Sequence, residues 1–211
     1  MGIEYFSTTL DVIEQEEPWL FAHMERVAMF AYALGKEFEV SHVDKGRLYD
    51  AGFLHGLGEH YMRIYMHKAN ADEERFKAVE AAWPLIASAM ISTAPGYDYV
   101  AKLVAQCAEN FDGSGEPFGA KKYEIHVYAA MLRIADLYDT LRMNGVSHDG
   151  ATAELRKLSG KAVPKKLITP FLKTIVNDED LKFDYTEICS DKLASLEKEK
   201  AGDDNAGDGE V

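Results

Sequence analysis

Apolar residues recur at three- and four-residue steps along almost the whole chain, the period of helices that bury one face. In PWLFAHMERVAMFAYALGKEF the stripe is Leu20, Met24, Val27, Ala31 and Leu34, with Pro18 suited to a first turn and His23 beside the stripe. A second helix is predicted from Ser41, a good N-cap, through Leu48, Ala51, Phe53 and Leu54 to His55, where the glycines of HGLGE loosen it. Residues 72–82 read as a charged helix. Pro84 then starts another, LIASAMIST, because proline is tolerated in a first turn but not in an interior. Pro95 and Gly96 turn the chain into an amphipathic helix over 97–110. That helix ends at FDGSGEPFGAKK, whose Gly113, Gly115 and Gly119 permit a tight backbone path. The helical period resumes over 123–141, and shorter helices are predicted over 149–158 and 165–176.

No alternating strand pattern of useful length and no internal repeat interrupts this picture, so the expected fold is all-α, a bundle of seven to nine helices. Three segments are expected: an N-terminal helical extension over 1–17, the main domain over 18–196, and an acidic tail over 197–211 that buries too little to offset its ordering entropy.

Composition narrows the classes. With 211 residues, 47% of them apolar and 11% aromatic, the chain can bury one sizeable core. Its apolar runs fall short of the roughly 20 residues that span a bilayer, and its first residues are acidic where a signal peptide is basic, so a cytoplasmic protein is expected. The 36 acidic and 23 basic residues give a net charge of −13, which disfavours nucleic acid and anionic membrane as partners. Cys107 and Cys189 are the two cysteines, too few for a disulfide framework.

Read in order, HMERV at His23, FLHGLGE around His55, AAWP before Pro84, CAENFDGSGEP from Cys107 and RIADLYDTL around Asp136 resemble the HD-GYP family of HD-superfamily phosphohydrolases. The resemblance spans about residues 20–175, and the spacing of the motifs carries more information than any one of them. It implies an HD-domain-like helical bundle that places two or three metal ions, commonly iron or manganese, and hydrolyses cyclic di-GMP. It assigns metal ligation to His23, His55 and Asp136. It also exposes departures: Gly56 stands at the aspartate of the HD pair, Trp83 at a histidine, Cys107 and Ala108 at a histidine pair, Glu59 at a lysine, and Glu116 at the tyrosine of the loop Gly113, Ser114, Gly115, Glu116 and Pro117.

Two adjacent cations need bridging carboxylates and imidazoles, which glycine, tryptophan and alanine do not supply. Glu59 and Glu116 put negative charge where a cyclic dinucleotide's phosphates belong, which weakens or abolishes binding of cyclic di-GMP in the family's pose. The expectation is therefore a signalling or scaffolding module without a cofactor, bound to a regulatory protein partner, with the glycine loop as a contact surface or simply a turn. The alternative is a phosphohydrolase holding one divalent zinc, iron or manganese ion on His23, His55 and Asp136, completed by Glu59 or by Cys107, whose soft sulfur favours zinc. A buried hydrogen-bonded cluster of the same residues is the plain reading. Cys107 reads as a small buried hydrophobe, or as a redox sensor if its thiol is accessible. His42, His60, His67, His126 and His148 show no mutual spacing that makes a site; HYMRIYMHK, with His60 and His67, reads as a surface helix. The Tyr- and Met-rich stripes suit a core or a homodimer face.

Overall fold

The computed structural model describes residues 2–68, 81–185 and 189, and among them nine α-helices and no β-strand. A 3-10 turn, Ile3–Phe6, leads into α1 (Ser7–Glu16), α2 (Pro18–Glu37), α3 (His42–Leu54), α4 (Leu57–Lys68), α5 (Trp83–Ile91) and α6 (Asp98–Ala105). After the glycine loop come α7 (Val127–Met143), α8 (His148–Lys157) and α9 (Lys165–Asn177). The architecture is the all-α bundle that the periodicity predicts. The charged helix predicted over 72–82 falls, up to residue 80, outside the described residues, and so does the acidic tail over 197–211.

Local chemistry sets most of the boundaries. Pro18 occupies the first turn of α2, Pro84 that of α5, and the Ser41 side chain accepts the Asp44 N–H to cap α3. Two predicted boundaries move, and Gln106 is the reason. Its side chain donates to the Glu124 carbonyl (3.2 Å) and accepts from the His126 N–H (2.9 Å), so it ties the exit of α6 to the entry of α7. The chain therefore leaves α6 at Ala105, makes a 3-10 turn at Lys122–Glu124, and starts α7 only after His126, whose imidazole accepts the Tyr128 N–H.

Helix α2 is the central post, packed against α1, α3, α7 and α9. It places Leu20, Met24, Phe30 and Leu34 in the interior, where Phe30 makes edge contacts with Tyr138, Phe171 and Phe183. The crossing of α2 and α3 is close enough to require glycine: a Cβ on Gly52 would lie 2.6 Å from the Ala28 Cα. That approach brings the end of α3 alongside His23. Among the described residues no helix is long and apolar enough to cross a membrane.

Candidate functional site

Three helices deliver three ligand-type side chains to one point. His23 comes from α2, His55 from the end of α3 and Asp136 from α7, and their donor atoms all lie within 4.8 Å of one another. His23 Nε2 stands 3.2 Å from His55 Nε2 and 3.4 Å from Asp136 Oδ1, and His55 Nε2 lies 4.0 Å from the same oxygen. The other ring nitrogens are already engaged. His55 Nδ1 donates to the Gly52 carbonyl (2.6 Å), and His23 Nδ1 donates to Asp139 Oδ2 (2.7 Å). These bonds fix both rings so that each Nε2 faces the shared point, which is how protein-held imidazoles are oriented for a metal.

Asp139, absent from the sequence-derived set, organises the site from behind. It is fully buried and accepts four bonds: from His23 Nδ1, from Arg26 Nε to Oδ1 (2.7 Å) and Nη2 to Oδ2 (2.9 Å), and from the Tyr185 hydroxyl to Oδ1. Two helical signals were available for this shell. Asp139 sits one turn after Asp136 and Arg26 one turn after His23, the spacing that puts side chains on one face. Tyr185 had no such signal, because it reaches Asp139 across 46 residues.

Burial and charge oppose each other here. Burial by itself lowers the His23 imidazole, but hydrogen bonds and charges from Asp136 and Asp139 outweigh it and raise the pKa to about 9. His55 is driven the other way, to about 4, by burial and by the neighbouring His23. Burial raises Asp136, yet His23, then His55 and Arg133, hold it well below the ordinary carboxylate range. Without a metal, the cluster is thus a His23 imidazolium between two carboxylates beside a neutral His55.

The remaining predicted positions fall around this set. Glu59 and Cys107 stand outside the converging group. Burial raises the Glu59 carboxyl, and it pushes the Cys107 thiol, only 2% exposed, far above its ordinary value. A Cβ on Gly56 would meet Met24 Cγ and Sδ at 2.7 Å, so the methionine of α2 fills the space beside that position. The Trp83 ring packs edge-on to His55 at 5.8 Å between centroids, and Ala108 contributes only a methyl group. In the loop, Ser114 bonds to Asp112 and receives the Asn110 amide (3.1 Å), while Gly115 lies so close to the Glu109 and Asn110 backbone that no side chain fits. Glu109, 1% exposed, accepts the N–H groups of Phe118 (2.6 Å) and Ala120 (2.8 Å) and so clamps the loop from Gly113 through Glu116 and Pro117 onward.

Over residues 60–66 the surface-helix reading of HYMRIYMHK holds for one face only, and the side chain of His67 lies outside those described. Tyr61 and Tyr65 are exposed, but His60, Met62 and Met66 are buried, because His60 pairs with Glu17, which also accepts Arg63 Nε at 2.7 Å. Sequence reading missed this pair because Glu17 lies in the joint between α1 and α2, where periodicity carries no information. His126 and His148 serve locally, the second bonded to the Tyr138 hydroxyl at 2.8 Å.

The family model described as HD domain matches residues 7–163. A curated Vibrio cholerae protein, 3'3'-cGAMP-specific phosphodiesterase 3, is 25% identical over 132 residues, covering 62% of this chain and 28% of that protein. A Thermotoga maritima protein, cyclic di-GMP phosphodiesterase, is 26% identical over 159 residues, covering 72% of this chain and 43% of that protein. The chain thus spans less than half the length of either curated relative. A crystal structure of the V. cholerae cyclic GMP-AMP specific phosphodiesterase V-cGAP3 superposes with a TM-score of 0.66 at 16% identity, covering 95% of this chain and 59% of that one. Bd1817, an HDG"Y"P protein of Bdellovibrio bacteriovorus, gives 0.60 at 18%, covering 75% and 53%. At these identities the two structures speak to the fold.

Proposed function

Because the chain belongs to the HD domain family, we propose that it is a single-metal HD domain acting on a nucleotide-type phosphoester, with His23, His55 and Asp136 as the protein ligands. One observation carries the reading: two imidazole Nε2 atoms and one carboxylate oxygen converge within 4.8 Å, with both Nδ1 atoms tied back by hydrogen bonds. Three protein ligands, rather than the four of a closed structural site, is the donor set of a catalytic metal. A divalent cation held there would polarise a phosphoryl oxygen and make water a stronger nucleophile near neutral pH.

The chain's own residues supply the rest. Asp139 and Arg26 keep His23 in the tautomer that turns Nε2 inward once its proton is displaced. Gly52 does the same for His55 through its carbonyl. Asp136, 16% exposed against 7% and 5% for the two imidazole side chains, marks the side from which a ligand enters.

The test is elemental analysis of protein purified without chelator, followed by turnover of bis-p-nitrophenyl phosphate, cyclic di-GMP and 3'3'-cGAMP. About one equivalent of zinc, iron or manganese, lost in His55→Ala and Asp136→Ala together with turnover, is the expected result. An empty site in wild-type protein ends the proposal.

A second reading, a non-catalytic signalling module that engages a regulatory protein, is favoured by the filled space at Gly56 and the Trp83 ring against His55. It expects no turnover of any of the three substrates, whether or not metal is present.

A further inference from the structure

On α7, one turn before Asp136, Arg133 presents a guanidinium that the fold does not fully use. Its Nη1 lies 3.4 Å from Asp136 Oδ2, longer than a well-made charged hydrogen bond, and Nη2 donates to Asn110 Oδ1 at 3.2 Å. The Nε–H is buried without any hydrogen-bond partner. A buried donor left unpaired is costly, so a partner such as a water, an ion or a ligand is called for.

The placement says which ligand. Asp136 turns Oδ1 to the imidazoles and Oδ2 to Arg133, so a cation at the imidazoles and the guanidinium would flank a single carboxylate. Asp139, the other carboxylate at His23, is already paired with Arg26, so Asp136 alone cannot balance both. A group with two or more anionic oxygens can reach the cation with one and the Arg133 guanidinium, which stands beside Asp136 through Nη1, with another, and a tetrahedral phosphoryl group supplies both oxygens. Asn110 and Ser114 extend the polar wall from Arg133 to the glycine loop. In a chain of net charge −13, this guanidinium lies beside Asp136, the most exposed member of the cluster.

We infer that Arg133 is the phosphoryl-anchoring residue of this site, gripping an oxyanion of a phosphoester with its guanidinium while another oxygen of the same group faces His23 and His55. The inference rests on the single-metal reading above. It assigns Arg133 to binding rather than to holding the ion.

The experiment uses the full chain as wild type, Arg133→Met and Arg133→Lys, each loaded with manganese. Metal content is measured first, then inorganic phosphate and dimethyl phosphate are titrated by calorimetry in parallel, separating a monoester or free-phosphate ligand from a diester. Expected are unchanged metal content in both variants, a fall of at least tenfold in affinity for the tighter probe in Arg133→Met, and partial recovery in Arg133→Lys, which keeps the charge but not the fork. Equal affinity in Arg133→Met, or no binding of either probe by metal-loaded wild type, overturns the assignment. If wild type takes up no metal, the single-metal reading fails separately. Arg133 is then judged on metal-free titrations: binding lost in Arg133→Met supports it, and binding that is absent or indifferent to the variant refutes it.

Discussion

Replacing Asp139 with Asn keeps the shape of the side chain and removes its charge, which makes it the sharpest probe of the shell behind the cluster. Asp139 accepts four bonds and is fully buried, so every one of its lone pairs in use faces a donor. An asparagine can keep its oxygen toward Arg26 Nε and Tyr185, but its NH2 then confronts Arg26 Nη2 and the His23 Nδ1–H. Relief requires His23 to give up its Nδ1 proton and carry its remaining proton on Nε2, which points a donor into the site where a lone pair belongs. Breaking one partner of a buried ion pair costs about 3–5 kcal/mol. For a chain of this size each kcal/mol is worth about 2–4 °C, so the melting temperature should fall by roughly 10 °C. Metal affinity, measured by competition with a chromophoric chelator, should drop about 10- to 100-fold, the usual effect of losing a group that orients a ligand. Tyr185→Phe removes one bond to the same carboxylate and should cost about 1.5–3 kcal/mol with a smaller loss of affinity. If Asp139→Asn melts within about 2 °C of wild type and binds metal equally well, the account of the shell is wrong.

Four further outcomes are expected. In chelator-treated protein, His23 binds its proton more tightly folded than unfolded, with a pKa of about 9 against 6.5, so stability falls as pH rises from 6.5 through 9. His55, lowered to about 4, makes stability fall as pH drops from 6.5 through 4; denaturant titrations should therefore peak near pH 6.5 and lose up to roughly 3 kcal/mol on each side. Cys107 should resist a thiol reagent until the protein unfolds, because its Sγ is buried and its thiolate disfavoured; prompt labelling of Cys107 in native protein would revive a redox role. Glu109→Ala should cost about 2 kcal/mol and speed hydrogen exchange at Phe118 and Ala120, whose N–H groups it leaves unpaired; unchanged protection there would contradict the clamp. Gly56→Asp should destabilise by about 3 kcal/mol by crowding Met24 and burying a carboxylate; an unaffected melting temperature would mean that Met24 moves aside freely.

What the sequence disclosed follows from which interactions are local. Helix starts were legible where a cap or proline sat within one turn, as at Pro18, Ser41 and Pro84; the end of α6 and the start of α7 were misplaced, where Gln106 ties two segments 18 and 20 residues apart. His23, His55 and Asp136 were legible through motif resemblance, and the helices bring them together. The shell was not. Asp139 and Arg26 were passed over although each sits one helical turn after a ligand-type residue, and nothing near Tyr185 marks its target. His60 was misjudged for the same reason: its partner Glu17 sits 43 residues away in a joint between helices.

Tyr185 has a practical corollary for anyone cutting or transplanting this protein. The residues that match the family end at 163, yet the hydroxyl that completes the hydrogen bonding of Asp139 arrives 22 positions later, and Phe171 of α9 sits against Phe30 on the way. A fragment trimmed to the matched boundary would retain every ligand-type side chain and still expose Arg26 and Asp139 to water from behind. The unit that inherits as a family and the unit that works as an electrostatic device are therefore different lengths of chain, and an expression boundary belongs after Tyr185.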